Sequence, residues 1–130
     1  PGNRFWPAAL AAGIATVDRD PRHALMHHGM GMTDLVKRAT PRADELTNDE
    51  YRTGFARVER LCSWLRPDAV CFVGLAGWRV AVDRKAKPGW RDHTLGGSAV
   101  YVMPSTSGLN AHSSLADLTE PLRTAAAGPA

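Results

Sequence analysis

A chain of 130 residues with 44% hydrophobic and 22% charged residues has the size and composition of one domain around a single core, which argues against both a two-domain enzyme and a disordered chain. The formal net charge of +3 permits a polyanionic partner without requiring one. No apolar run approaches the ~18 residues that a membrane span needs and no signal peptide is visible, so a cytosolic protein without membrane contact is expected.

In chain order, "GNRFWPAALAAG" predicts a short helix. Asn3 is placed to cap it, Pro7 falls in the first turn where a missing N–H costs least, and Gly13 ends it. Phe5, Ala9 and Leu10 then face inward. "PRHALMHHG" predicts a second helix from Pro21 to Gly29. In "MGMTDLVKRATP" the Met, Thr, Leu and Val content favours a strand running into a loop.

"TNDEYRTGFARVERLCSWLRP" carries the clearest helical signal. Thr47 and Glu50 make a capping box, Asp49 and Glu50 suit the positive end of the dipole, and Pro67 marks the exit. Tyr51, Phe55, Val58, Cys62 and Leu65 form one apolar stripe that needs a sheet to pack on. "AVCFVG" supplies it as an apolar run without alternation, the pattern of a strand covered on both faces and paired in parallel. "GLAGWRVAV" reads as helix, and "DRKAKPGWR" as a basic loop in which Arg84, Lys85, Lys87 and Arg91 crowd around Pro88, Gly89 and Trp90. Solvation accounts for that loop as well as a phosphate contact does. "SAVYVMP" is a further strand. Ser113 or Ser114 can cap a last helix with Leu115, Leu118 and Leu122 on one face and a kink at Pro121, before an Ala/Gly/Pro tail from about residue 125 to 130.

Helix, strand, helix, strand, helix is the order of an α/β sandwich, in which ligands sit beyond the carboxyl ends of the strands. Cys62 and Cys71 stand nine positions apart without a CxxC pair, which argues against a disulfide, a zinc site or an iron–sulfur site. His23 and His27 at i, i+4 lack a third ligand and read as an ordinary surface pair. Neither a metal nor a cofactor is expected.

The main functional signal is "VMPSTSGLN", residues 102 to 110, a strand that ends in a turn of small polar residues. Ser105, Thr106 and Ser107 offer hydroxyls and backbone N–H groups just ahead of a helix N-terminus, an arrangement suited to gripping phosphate oxygens. Gly108 allows a sharp turn and lifts Leu109. By spacing alone, Leu109 is a hydrophobic staple packed on its own helix. On duplex DNA, the same residue can wedge into the base stack where a nucleotide has been rotated out.

"NRFW", "GMTDLVKRAT", "PDAVCFVG" and "VMPSTSGLN" occur in the order and at about the spacing of the mismatch-specific uracil-DNA glycosylases, relatives of the thymine-DNA glycosylases, and the chain resembles that family over essentially its whole length. The resemblance implies a single uracil-DNA glycosylase-like domain over 1–130, a three-layer α/β/α sandwich around a short parallel sheet. It implies excision of uracil, with thymine and damaged pyrimidines as further substrates, from mismatches with guanine by base flipping and hydrolysis of the N-glycosidic bond. The partner would be double-stranded DNA with G·U or G·T pairs, bound by a monomer in a bacterial-type cytoplasm at the nucleoid, without a cofactor.

Carried over by position, Gly108, Leu109 and Asn110 resemble the family's insertion loop, with Leu109 as the wedge and backbone groups bonding the widowed guanine. Ser105 and Ser107 would meet the phosphates beside the lesion. Bacterial members often have an arginine after this loop, where this chain has Ala111 and then His112, which implies weaker recognition of the guanine. The family's central first strand and its Gly-x-Asn-Pro-Gly motif, whose asparagine positions the attacking water, would both precede Pro1. The sequence therefore gives no residue to match that asparagine, and Asn3 reads as a helix cap. A mismatch-binding domain without chemistry is the alternative that this departure keeps open. A small α/β domain binding a nucleotide or a protein at the same strand-end crevice is the reading unrelated to DNA.

Overall fold

The computed structural model describes residues 3–36, 46–108, 110 and 112–129. Its elements are α1 (Phe5–Ala12), α2 (Pro21–His28), α3 (Asn48–Leu65), β1 (Ala69–Val73), α4 (Ala76–Ala81), β2 (Gly89–Leu95), β3 (Ser98–Met103) and α5 (Leu115–Ala127). The strands form one sheet in the order β1-β3-β2, with β3 central.

Because successive strand residues face opposite ways, the apolar run of β3 serves two cores. Val100 and Val102 join Val58 and Cys62 of α3, Phe72 of β1 and Trp78 of α4 on one face. Met103 joins Ala8 and Ala9 of α1 and Leu118 and Leu122 of α5 on the other, with Cys71 and Tyr101 packed against them. Helices thus cover both faces, and the chain is a small three-layer α/β/α sandwich. The same burial pushes the Cys71 thiol up to about 12, so it stays protonated at neutral pH and acts as a core residue rather than a nucleophile.

The sheet is mixed, not purely parallel. β1 pairs in parallel with β3, from Ala69 opposite Ala99 to Val73 opposite Met103. β2 pairs antiparallel to β3, with Gly89 opposite Val102 and Leu95 opposite Ser98. The sequence reading left Gly89, Trp90 and Arg91 in a loop; here they open an edge strand. Its partner is reached through Gly96 and Gly97, at φ +57 and +90, the two left-handed positions that a two-residue hairpin turn requires. At Gly96 a side chain is also barred by packing, since a Cβ would lie 2.6 Å from the Ser63 backbone nitrogen.

The helical readings hold with local corrections. The Thr47–Glu50 capping box is formed, and α3 buries Tyr51, Val58 and Cys62. Leu65 lies outside that stripe at 60% exposed, because α3 ends on it. The residue at the N-cap position of α1 is Arg4, not Asn3, although the Asn3 side chain still accepts a hydrogen bond from the Phe5 N–H at 2.9 Å. In α5 Ser114 is the cap, Leu118 and Leu122 are buried and Leu115 is exposed. The helix continues through Pro121 to Ala127 with Ala125 buried, so the tail starts later than residue 125.

The strand expected from Met30 is absent from the described part of that segment: residues 30 to 36 are irregular, and Lys37 to Pro41 lie outside the described residues. Leu35 explains what this segment does. A methyl at Gly54 of α3 would run into the Leu35 carbonyl oxygen, and one at Gly77 of α4 into the Leu35 side chain. Arg57 adds a hydrogen bond to the Asp34 carbonyl. Gly54→Ala is therefore expected to destabilise the protein by about 1–3 kcal/mol, since the steric conflict with fixed backbone outweighs the ~1 kcal/mol gain in helix propensity. A denaturant titration checks this, and a rise in the midpoint would refute the close approach. Among the described residues, no helix is long and apolar enough to cross a membrane.

Candidate nucleic-acid interface

Three connections meet at the carboxyl end of β1 and β3. The residues after Val73 lead into α4, the residues after Met103 form the Ser/Thr/Gly loop, and β2 begins beside Val102 after the basic turn. The first two are joined where the Gly74 N–H donates to the Met103 carbonyl at 2.9 Å. Gly74 sits at φ +109, and a Cβ there would touch the Cβ of Ser105 at 3.7 Å.

The loop is braced from within. Ser105 Oγ accepts from the Ser107 N–H at 3.1 Å, the local bond by which serine competes with regular structure and holds a turn. The Asn110 side-chain nitrogen donates to the Ser105 carbonyl at 2.8 Å and to Ser113 Oγ at 3.0 Å. The Asn110 backbone N–H donates to the Ser107 carbonyl at 3.0 Å. Asn110 thus closes the loop across its base.

The N-terminal segment braces it from outside. Thr106 is 2% exposed; its hydroxyl donates to Asn3 Oδ1 at 2.9 Å and its carbonyl accepts the Arg4 N–H at 2.8 Å. The Arg4 guanidinium reaches further round the loop. Its Nη1 donates to the Ser113 carbonyl at 2.5 Å and its Nη2 to the Asn110 carbonyl at 2.8 Å. In sequence these two carbonyls lie on either side of His112. Among the described residues no carboxylate pairs with Arg4, and its guanidinium is met by the Asn110 and Ser113 carbonyls. Where the loop enters α5, Ser114 Oγ accepts from the Asp117 N–H and an Asp117 carboxylate oxygen accepts from the Ser114 N–H at 2.9 Å. That backbone hydrogen bond holds the Asp117 carboxyl below the usual carboxylate range.

Of the expected site residues, Ser105, Ser107 and Asn110 are half-buried and Gly108 is exposed. Leu109, the expected wedge, and Ala111 lie outside the described residues. The Asn110 N–H, carbonyl and side-chain amide nitrogen are all engaged inside the protein, so its part in the loop is closure. Sequence reasoning missed Arg4 and Thr106 as the links that tie "NRFW" to "PSTSGLN". One signal was available: Arg4 is the only charged residue before Asp18, and a lone cation in an otherwise apolar segment needs fixed acceptors.

A depression of about 280 Å³ lies elsewhere, between α4 and β2, where Trp78, Trp90, Arg91 and His93 contribute to its walls. Of the described residues between 104 and 114, none lines it. Chemically, a rigid turn of small hydroxyl residues with an arginine behind it can accept an anion close to its backbone. No model of a known protein family matches the chain.

Proposed function

We propose that this chain is a DNA repair domain of the mismatch-specific uracil-DNA glycosylase type. It uses the loop after β3 to open duplex DNA at G·U and G·T pairs, with Leu109 as the wedge. Ser105 and Ser107 meet the phosphates beside the opened step. The flipped base is held while its N-glycosidic bond breaks; the base leaves with the bonding pair, and water adds to the sugar carbon and passes a proton to the departed base or to solvent. The oxocarbenium character of the sugar makes positioning and electrostatics count for more than a strong base. The reaction uses no metal or cofactor, and the protein acts as a monomer on DNA in a bacterial-type cytoplasm. The observation that carries this reading is the bracing of the loop by Arg4, Asn3 and Asn110, because a wedge must be stiffer than the stack it opens. The unstacking cost is a few kcal/mol, which a slack loop would not transmit.

The second reading is mismatch recognition without chemistry. It is favoured by the make-up of the loop itself, a braced turn whose hydroxyls and backbone suit phosphates and which needs no further group to bind a mismatch. Gel-shift titrations of G·U, G·T and G·C duplexes, paired with alkaline strand cleavage, separate the two. Preferential binding with abasic product supports excision, and preferential binding without product supports the second reading. Equal affinity for all three duplexes would remove the wedge from both.

A further inference from the structure

The basic turn before β2 lies at the same end of the sheet as the loop, although the two are separated in sequence. β2 runs antiparallel to β3 with Gly89 opposite Val102, so Lys87 and Pro88 reach the end of the sheet at which Met103 and Pro104 leave it. The turn is fixed rather than slack. Ala86 is 1% exposed and belongs to the core, its carbonyl accepts Arg79 Nε at 2.9 Å, and its N–H donates to the Asp83 carbonyl at 3.0 Å. The Lys85 N–H donates to Asp83 Oδ1 at 2.9 Å.

With its middle residue buried, the turn leaves Arg84, Lys85 and Lys87 exposed. Among the described residues none of the three side-chain charges is ion-paired with a carboxylate. Arg91 differs: it is half-buried and its Nε turns back to the Trp90 carbonyl at 3.0 Å.

We infer that Arg84, Lys85 and Lys87 form a second phosphate-contact point, which grips the DNA backbone away from the opened step while the loop after β3 works at it. This rests on the reading of the loop as a DNA contact. Because the backbone of the turn is already fixed, the three cations give up side-chain freedom alone on meeting a row of phosphates, and each phosphate neutralised releases condensed counterions. The contact carries no base information, so it sets affinity and register but not mismatch preference.

The experiment is a salt titration of binding to G·U and G·C duplexes by the full chain, by the triple variant R84Q/K85Q/K87Q, and by Arg22→Gln as a single-charge control on α2. The triple variant should weaken binding to both duplexes by the same factor. It should also flatten the plot of log K against log salt by about 1 for each cation removed, with the G·U preference unchanged. An unchanged slope, a change no larger per charge than that of Arg22→Gln, or weakening confined to the G·U duplex would overturn the inference while DNA binding by the loop stood. Failure of the unaltered chain to bind either duplex would overturn the DNA reading itself, and the second contact with it.

Discussion

Arg4→Ala is expected to lower stability by about 3 kcal/mol and to loosen the loop after β3 without unfolding the sheet. The guanidinium makes two charge-assisted bonds, to the Asn110 and Ser113 carbonyls, and bonds of that kind contribute ~1.5–3 kcal/mol each. Some of this is recovered because the carbonyls can turn to water in a partly exposed site. The bond from the Arg4 backbone N–H to the Thr106 carbonyl survives the substitution, so the start of the loop stays anchored while its far side is freed. Amide exchange at Asn110, whose N–H bonds the Ser107 carbonyl, should speed up far more than exchange in β3. Equal acceleration at both places would mean that Arg4 supports the whole fold and not the loop.

Trp78→Ala should cost about 3–5 kcal/mol, the range for deleting a large buried aromatic. Trp78 is 1% exposed and stands at the centre of an aromatic group. Its ring lies 5.2 Å from Phe72, 5.7 Å from Phe55 and 5.6 Å from His93, centroid to centroid, edge-on to Phe72 and His93. One side chain therefore ties α4 to α3, to β1 and to the edge strand β2. Its loss leaves a cavity that three elements would have to close together. Denaturant unfolding measures the cost, and a change below about 1 kcal/mol would show that the neighbouring rings collapse into the space. Trp78→Phe should recover a large part of the stability, because edge-on aromatic contacts are kept.

The sequence was most legible where one physical signal acted locally. The Thr47–Glu50 box, the glycines ending α1 and α2, and the apolar strand feeding the Ser/Thr loop each declare themselves within a few residues. β2 did not, because "GWRDHTL" exposes Asp92, His93 and Thr94 and has the composition of a solvated loop. The Gly96–Gly97 pair was its signal, a two-residue turn between extended runs. Leu35 was illegible for another reason: its place is fixed by the absence of side chains at Gly54 and Gly77, which lie far from it in sequence. The candidate site was legible as a loop, from Ser105 to Asn110. The pairing of Arg4 with the Asn110 and Ser113 carbonyls depends on α1 and α5 packing side by side, and no short-range pattern announces it.

The central claim is that the braced loop pushes a residue into the base stack, and it can be observed without turnover. A duplex carrying 2-aminopurine next to a G·U pair reports unstacking as a rise in fluorescence. Saturating protein should give that rise on the G·U duplex and much less on the G·C duplex, and Leu109→Ala should abolish it while leaving most of the phosphate-driven affinity. Tight binding to the G·U duplex with no fluorescence change, or a rise as large with Leu109→Ala as without it, would contradict the account.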